Sequence, residues 1–129
     1  MPLDIQVKKG LLGASGGTVT MELSGSLDTA TAPVLEAGLM PLLEQKPHDL
    51  VFDLAGLNFI SSAGLRVFGI ARKRMKEAGG HVSFLHMQPQ IREVFDIIKA
   101  LPGLSVFRDV QEFDAYISAR QRRDRDADD

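Results

Sequence analysis

The stretch Leu50-Val51-Phe52-Asp53-Leu54, followed shortly by Ser61-Ser62-Ala63-Gly64-Leu65, narrows most what this chain can become. An apolar run bounded by Pro47 and Gly56 reads as a central strand covered on both faces. Leu65, Phe68, Ala71 and Met75 then recur at helical spacing directly after the serines. A strand feeding a helix through a short loop is half of a parallel crossover unit. It also places two serine hydroxyls at a helix N-terminus, where unpaired backbone N–H groups and the helix dipole hold a phosphate. A phosphorylatable switch is the functional reading these residues favour first.

The rest of the chain extends the alternation. Ile5 to Lys8 and Val19 to Leu23 read as short strands joined by a connection carrying Gly10, Gly13, Gly16 and Gly17, a hairpin-like opening. Thr29 or Thr31 is placed to cap a helix with Pro33 in its first turn and Leu35, Leu39, Leu42 and Leu43 on one face. Pro41 predicts a kink in that helix or an early end near Gly38. Gly79-Gly80 stops the second helix, Val82 to Leu85 is the next strand, and Pro89 opens a helix with Ile91, Val94, Phe95 and Ile98 as its core stripe. Pro102-Gly103 ends it, Leu104 to Phe107 reads as a last short strand, and Asp109-Val110-Gln111-Glu112 resembles a capping box opening a terminal helix. From Arg120 onward the residues are almost all charged or amide-bearing, which predicts a domain over 1–118 and a disordered tail over 119–129 whose removal leaves folding intact. The expected fold is α/β: a mixed, mostly parallel sheet with an antiparallel N-terminal edge, packed by about four helices.

Composition excludes several function classes. At 129 residues the chain suits one domain, which buries enough surface to fold without metals or cross-links. It has no cysteine, so disulfide frameworks and thiolate metal sites are excluded. A net charge of −2 provides no electrostatic footprint for nucleic acid. No apolar run approaches the ~20 residues of a membrane span, and Met1-Pro2-Leu3-Asp4 lacks the plan of a signal peptide, so no membrane insertion and a cytoplasmic location are expected. His48, His81 and His86 lack the spacing of a zinc helix, and no nucleophile elbow or phosphate-cradling Gly-x4-Gly-Lys motif is present. A small serine hydrolase built on Ser62 stays open as a reading of another class, because triads assemble in space rather than in sequence.

Leu57-Asn58-Phe59-Ile60-Ser61-Ser62-Ala63-Gly64-Leu65 resembles the phosphorylation-site segment of STAS domains, in particular the stand-alone anti-sigma factor antagonists. Leu23-Ser24-Gly25-Ser26-Leu27-Asp28 is similar to the Gly-x-Leu-Asp segment of that family. Gly79-Gly80 and Ile91-Arg92-Glu93-Val94-Phe95-Asp96 resemble its later turn and last major helix, in the same order. One position departs: the family usually has aspartate before the acceptor serine, and here that residue is Ser61.

The resemblance implies a STAS fold and a non-enzymatic, cofactor-free regulator. Its implied partners are an ATP-binding serine-kinase anti-sigma factor and a serine phosphatase, and a monomer or weak dimer is expected. It places the phosphoacceptor at Ser62, with Ser61 as second choice, and the partner contacts at Asp28, Ser61, Ala63, Gly64 and Arg66. A different STAS role, as a subunit of a lipid-transport ATPase complex or a stressosome-like assembly, fits the same motifs. Each residue also has a structural reading. Ser61 or Ser62 caps the helix, Asp28 is a turn carboxylate, and Arg66 belongs with Arg72, Lys73, Arg74 and Lys76 to a solvated basic face.

Overall fold

The computed structural model describes residues 2–10, 17–100 and 109–127. Along the chain these form β1 (Leu3–Lys9), β2 (Thr18–Leu27), α1 (Ala32–Glu44), β3 (Asp49–Ile60), α2 (Ser62–Glu77), β4 (His81–Leu85), α3 (Pro89–Ala100) and α4 (Val110–Ala127). The strands make one sheet in the order β1-β2-β3-β4, with β1 antiparallel to β2 and the other pairings parallel. This is the mixed sheet with an antiparallel edge that the alternation predicts. The stop at Pro102-Gly103 and the strand read over 104–107 lie outside the described residues.

β3 is longer than its apolar run and differently covered. Leu50, Phe52 and Leu54 are fully buried, whereas Val51 and Asp53 between them are half-buried and Ala55 is exposed. Helices therefore cover one face of the strand, not both as expected from the sequence. The strand also passes through Gly56 to Ile60, where the sequence suggested a loop. Parallel pairing with β2 carries it onward, through register shifts between Glu22 and Ser24 and between Gly25 and Ser26. Gly56 permits that approach, since a Cβ there would lie 2.9 Å from Cβ of Ser24.

The covered face holds the core. Phe52 meets Phe68 of α2 at 4.8 Å between ring centroids and stacks on Phe84 of β4 at 5.4 Å. Phe95 of α3 packs edge-on against Phe84 at 5.1 Å. On the other face the register sets Glu22 beside both Gln6 and Asp53. The two neighbouring carboxylates are offset by Lys8 Nζ, 3.3 Å from Glu22, and by His86 Nδ1, which donates to Asp53 at 3.1 Å.

Two further expectations are corrected. The first helix neither stops at Gly38 nor breaks at Pro41, but runs from Ala32 to Glu44. Leu39 before the proline and Leu42 and Leu43 after it are all buried. Burying those two following leucines is worth about 1.5–3 kcal/mol each, more than the ~3 kcal/mol that an interior proline costs. The second correction concerns the tail, for α4 continues unbroken to Ala127. Its Gln121 is 3% exposed, and Arg120 pairs with Glu93 of α3, Nε to Oε1 at 2.6 Å. The boundary at 118/119 falls inside a docked helix. The side-chain cap read at its start is present, with the Glu112 N–H donating to Asp109 Oδ1 at 2.8 Å.

Replacing the exposed Pro41 restores a backbone donor inside a helix. Pro41→Ala is expected to raise unfolding free energy by about 1–3 kcal/mol, read by denaturant titration. Asp53 gives a pH prediction. Burial pushes its carboxyl up, but the Ala55 N–H at 3.1 Å, His86 and Lys8 outweigh that and hold it below its ordinary value of 3.8. A lowered folded-state pKa stabilises above the unfolded value, and that stability is lost as pH falls through the folded value. The melting-temperature gap between the wild type and Asp53→Asn should therefore be open at about pH 6 and close as pH falls below about 4.

Candidate functional site

The site is built where β2 and β3 end together. Leu27 pairs with Ile60 in the parallel register, and the next N–H, that of Ser61, donates to Leu27 O at 2.9 Å. Two loops, the one opening at Asp28 and the one at Ser61-Ser62, are thereby held side by side at the C-terminal edge of the sheet. Ligands of open parallel sheets bind at this edge.

The Asp28 loop is internally bonded. Asp28 Oδ1 accepts the N–H groups of Ala30 and Thr31, both at 3.0 Å, and Thr31 Oγ1 accepts the Asp28 N–H at 2.9 Å while donating to Ser26 O at 2.8 Å. Thr31 is the N-cap residue of α1 by position, but its hydroxyl makes no capping bond; it ties the loop back to β2 instead. Asp28 is thus a turn carboxylate that shapes the surface next to the serines.

At Ser61 the backbone is extended (φ −108°, ψ 175°), and its C=O accepts the first helical bond, from Leu65 N at 3.0 Å. This is the N-cap position, yet the Ser61 side chain does not cap. The residue is 6% exposed and its Oγ bonds no protein group. The cap comes from another helix: Asp114 of α4 accepts the Ser62 N–H on Oδ1 and the Ser62 hydroxyl on Oδ2, both at 2.8 Å. A carboxylate at a helix N-terminus interacts favourably with the dipole by about 0.3–1 kcal/mol, which a neutral serine hydroxyl does not match.

α4 reaches this point because Gln121, two turns further along, grips the end of β3. Its amide oxygen accepts the Ile60 N–H at 2.9 Å, and its nitrogen donates to Ile60 O at 2.8 Å and to Ile117 O at 3.1 Å. β4 pairs with β3 only as far as Asp53, so beyond it the backbone of β3 lacks a strand on that side. A primary amide, with one donor and one acceptor face, substitutes for one.

The remaining candidate residues divide. Ser62 and Ala63 are half-buried at the first turn of α2. Ala63 helps line a groove of about 380 Å³ between α1 and α2, with Thr29, Pro33, Met40 and Arg66. Arg66 is exposed, its Nη1 3.7 Å from Glu36 of α1. Gly64 is not on the surface: it is buried, and a Cβ there would lie 2.5 Å from Leu27 Cγ and 3.1 Å from Ile60 Cγ1. Its smallness serves the packing of α2 on the strand ends rather than the approach of a partner. Ser62 bonds a carboxylate and not a histidine; His86 pairs with Asp53 and His48 with Asp49. Among the described residues no three His, Asp or Glu side chains gather as a metal site, and no helix is long and apolar enough to cross a membrane.

With this geometry in hand, comparison with known proteins is decisive for the family. The model of the STAS domain matches residues 12–113. The chain belongs to the STAS domain family. Over 75 residues it is 37% identical to BtrV of Bordetella bronchiseptica, an alignment spanning 58% of this chain and 65% of BtrV, just under two thirds of that protein. It is 30% identical over 97 residues to the anti-sigma-B factor antagonist of Bacillus subtilis, covering 75% of this chain and 84% of the relative. The fold superimposes on the anti-sigma factor antagonist SpoIIAA in its unphosphorylated form with a TM-score of 0.63 at 20% identity, covering 74% and 81% of the two chains. SpoIIAA has also been solved in a phosphorylated form, with a TM-score of 0.58 to this chain.

Within this STAS domain, Asp114 and Gln121 are the residues that sequence reading missed. Both lie past the family match, Asp114 in the terminal helix that follows the capping box and Gln121 in the stretch read as tail. The available signal is helical spacing, since Phe113, Ile117 and Gln121 recur every four residues. Gln121→Ala leaves two buried backbone groups without partners at about 1–3 kcal/mol each. It is expected to lower unfolding stability by about 2–6 kcal/mol, and truncation after Ala119 by at least as much, measured by urea denaturation.

Proposed function

We propose that this STAS domain is an anti-sigma factor antagonist of the partner-switching kind, working in the cytoplasm. In the unphosphorylated form it binds a serine-kinase anti-sigma factor and frees a sigma factor. The kinase transfers the γ-phosphoryl group of ATP to Ser62, binding ends, and a serine phosphatase resets the protein. The observation that carries this reading is the position of Ser62. Its hydroxyl stands at the first residue of α2, at the C-terminal edge of the sheet beside the Asp28 loop, and the residue lines a groove of about 360 Å³ with Leu65, Arg66, Phe68 and Phe113.

The same geometry favours Ser62 over Ser61 as acceptor. Ser61 is almost wholly buried under the strand ends, whereas Ser62 is half-buried. An in-line attack on a phosphoryl group needs an accessible oxygen. Asp28, Ala63 and Arg66 then form the docking surface around the acceptor, with Gly64 supporting it from beneath. Phosphate adds about −1.5 to −2 charge at the centre of that surface. Like charge or an unpaired buried charge at an interface costs several kcal/mol, enough to weaken binding by ~100-fold or more.

The test uses Ser62→Ala as bait in the presence of Mg-ATP, which is expected to retain a kinase that the wild-type protein releases with time. Incubating the recovered kinase with the wild-type protein should place a single phosphate on Ser62, located by tandem mass spectrometry. Phosphate mainly on Ser61, or retention that is equal for both proteins, would sink the assignment.

A further inference from the structure

The N-terminus of α2 is an anion site that is already filled. Asp114 spends one carboxylate oxygen on the Ser62 N–H and the other on the Ser62 hydroxyl, each at 2.8 Å. We propose that Asp114 relays the phosphorylation state of Ser62 to α4, so that phosphate on Ser62 expels the carboxylate and releases the N-terminal half of that helix. The inference rests on Ser62 being the acceptor.

Phosphoryl transfer forms a bond between Ser62 Oγ and phosphorus and breaks the bond from the γ-phosphorus to the bridging oxygen of ATP. ADP leaves with the bridging oxygen and its bonding pair, and the hydroxyl proton passes to solvent. Three consequences follow for Asp114. The O–H that donated to Oδ2 no longer exists, the Ser62 N–H is contested by phosphate oxygens, and a group of charge near −2 stands within bonding distance of a carboxylate. The phosphate is tethered and carries the greater charge, so the carboxylate is the group that leaves. Arg66, one turn along α2 from Ser62 and exposed, offers the phosphate a cation on the solvent side.

Asp114 cannot leave alone, because it is flanked on its own helix by Phe113 and Ile117, both buried. Further along, Gln121 on Ile60 and Arg120 on Glu93 hold the helix independently of Ser62. The movement is therefore confined to the first turns of α4, with the part from Arg120 onward acting as the anchor. Phe113 and Ile117 then become accessible beside Ser62, and the surface a partner meets changes in shape as well as in charge.

Hydrogen–deuterium exchange tests this on protein with phosphoserine installed at position 62 during translation. The amides of residues 114–119, which have partners one helical turn earlier, should exchange at least tenfold faster than in the unmodified protein. Those of β2 and β3 should be unchanged. Asp114→Asn keeps an oxygen for the Ser62 N–H and gains a donor for phosphate, so its phosphorylated form should keep α4 protection within about twofold of its unphosphorylated form. Asp114→Ala should show fast exchange without any phosphate. Unchanged protection in phosphorylated wild-type protein overturns the relay, as does equal acceleration in Asp114→Asn. No kinase takes part, so a kinase that marks another residue defeats the functional reading while leaving this result to stand on its own.

Discussion

The fold depends on how the far end of β3 is satisfied. Beyond Asp53 the strand loses its neighbour β4, yet it continues through Leu57 and Ile60, both fully buried. Backbone N–H and C=O groups buried without partners cost about 1–3 kcal/mol each. β2 serves one side through its shifted register, and the other is served at Ile60 by one side chain, Gln121. The terminal helix is therefore a structural partner of the central strand rather than an appendage. Its docking then carries Asp114 to the first residue of α2, so the pairing of Ile60 and the capping of α2 come from a single helix.

Much of the fold was legible in the sequence because it rests on local periodicity. Ile91, Val94, Phe95 and Ile98 read as a helix face, the alternation of strands and helices predicted a mixed sheet, and Pro89 and Gly79 marked ends that the structure keeps. The errors share a cause, which is that tertiary contacts overrode local rules. Pro41 failed to break α1 because leucines on both sides of it are anchored. Gly56 failed to end β3 because β2 needed a residue without a side chain at that point. Residues after Ala119 read as tail because their buried member, Gln121, is polar and sits among arginines. Composition registers the loss of apolar residues there, but not an amide that completes a distant strand.

The position of the candidate site was legible in the sequence, and its surroundings were not. Ser62 follows from a strand running into a helix, and Asp28 from a turn after a strand. Gly64 was read as an opening for a partner, but it is filled by Leu27 from within the protein. The sequence offers Ser61 or Ser62 as the cap, a role that a one-turn sequence window assigns naturally. The actual cap is 52 positions away in the chain. Where the resemblance to known relatives leads one to expect an aspartate beside the acceptor, this chain has Ser61, and a carboxylate arrives there from α4 instead.

In the proposed switch that difference changes the physics. An empty helix N-terminus accepts a phosphate with little disturbance, because free N–H groups and the dipole favour the charge. Such a site alters binding only through charge on the surface. A helix N-terminus already capped by a carboxylate forces a competition between two anions, and the loser takes a packed helix with it. Every 1.4 kcal/mol by which phosphate disfavours the docked helix shifts the ratio of docked to undocked tenfold, so two such increments turn a preference of about 10:1 for docking into about 1:10. The first turns of α4 are held in part by Phe113 and Ile117, both buried, and by the bonds of Asp114 to Ser62. The anchor at Gln121 serves the opposite requirement, since it keeps β3 satisfied while the first turns move and so confines the response to the surface around Ser62.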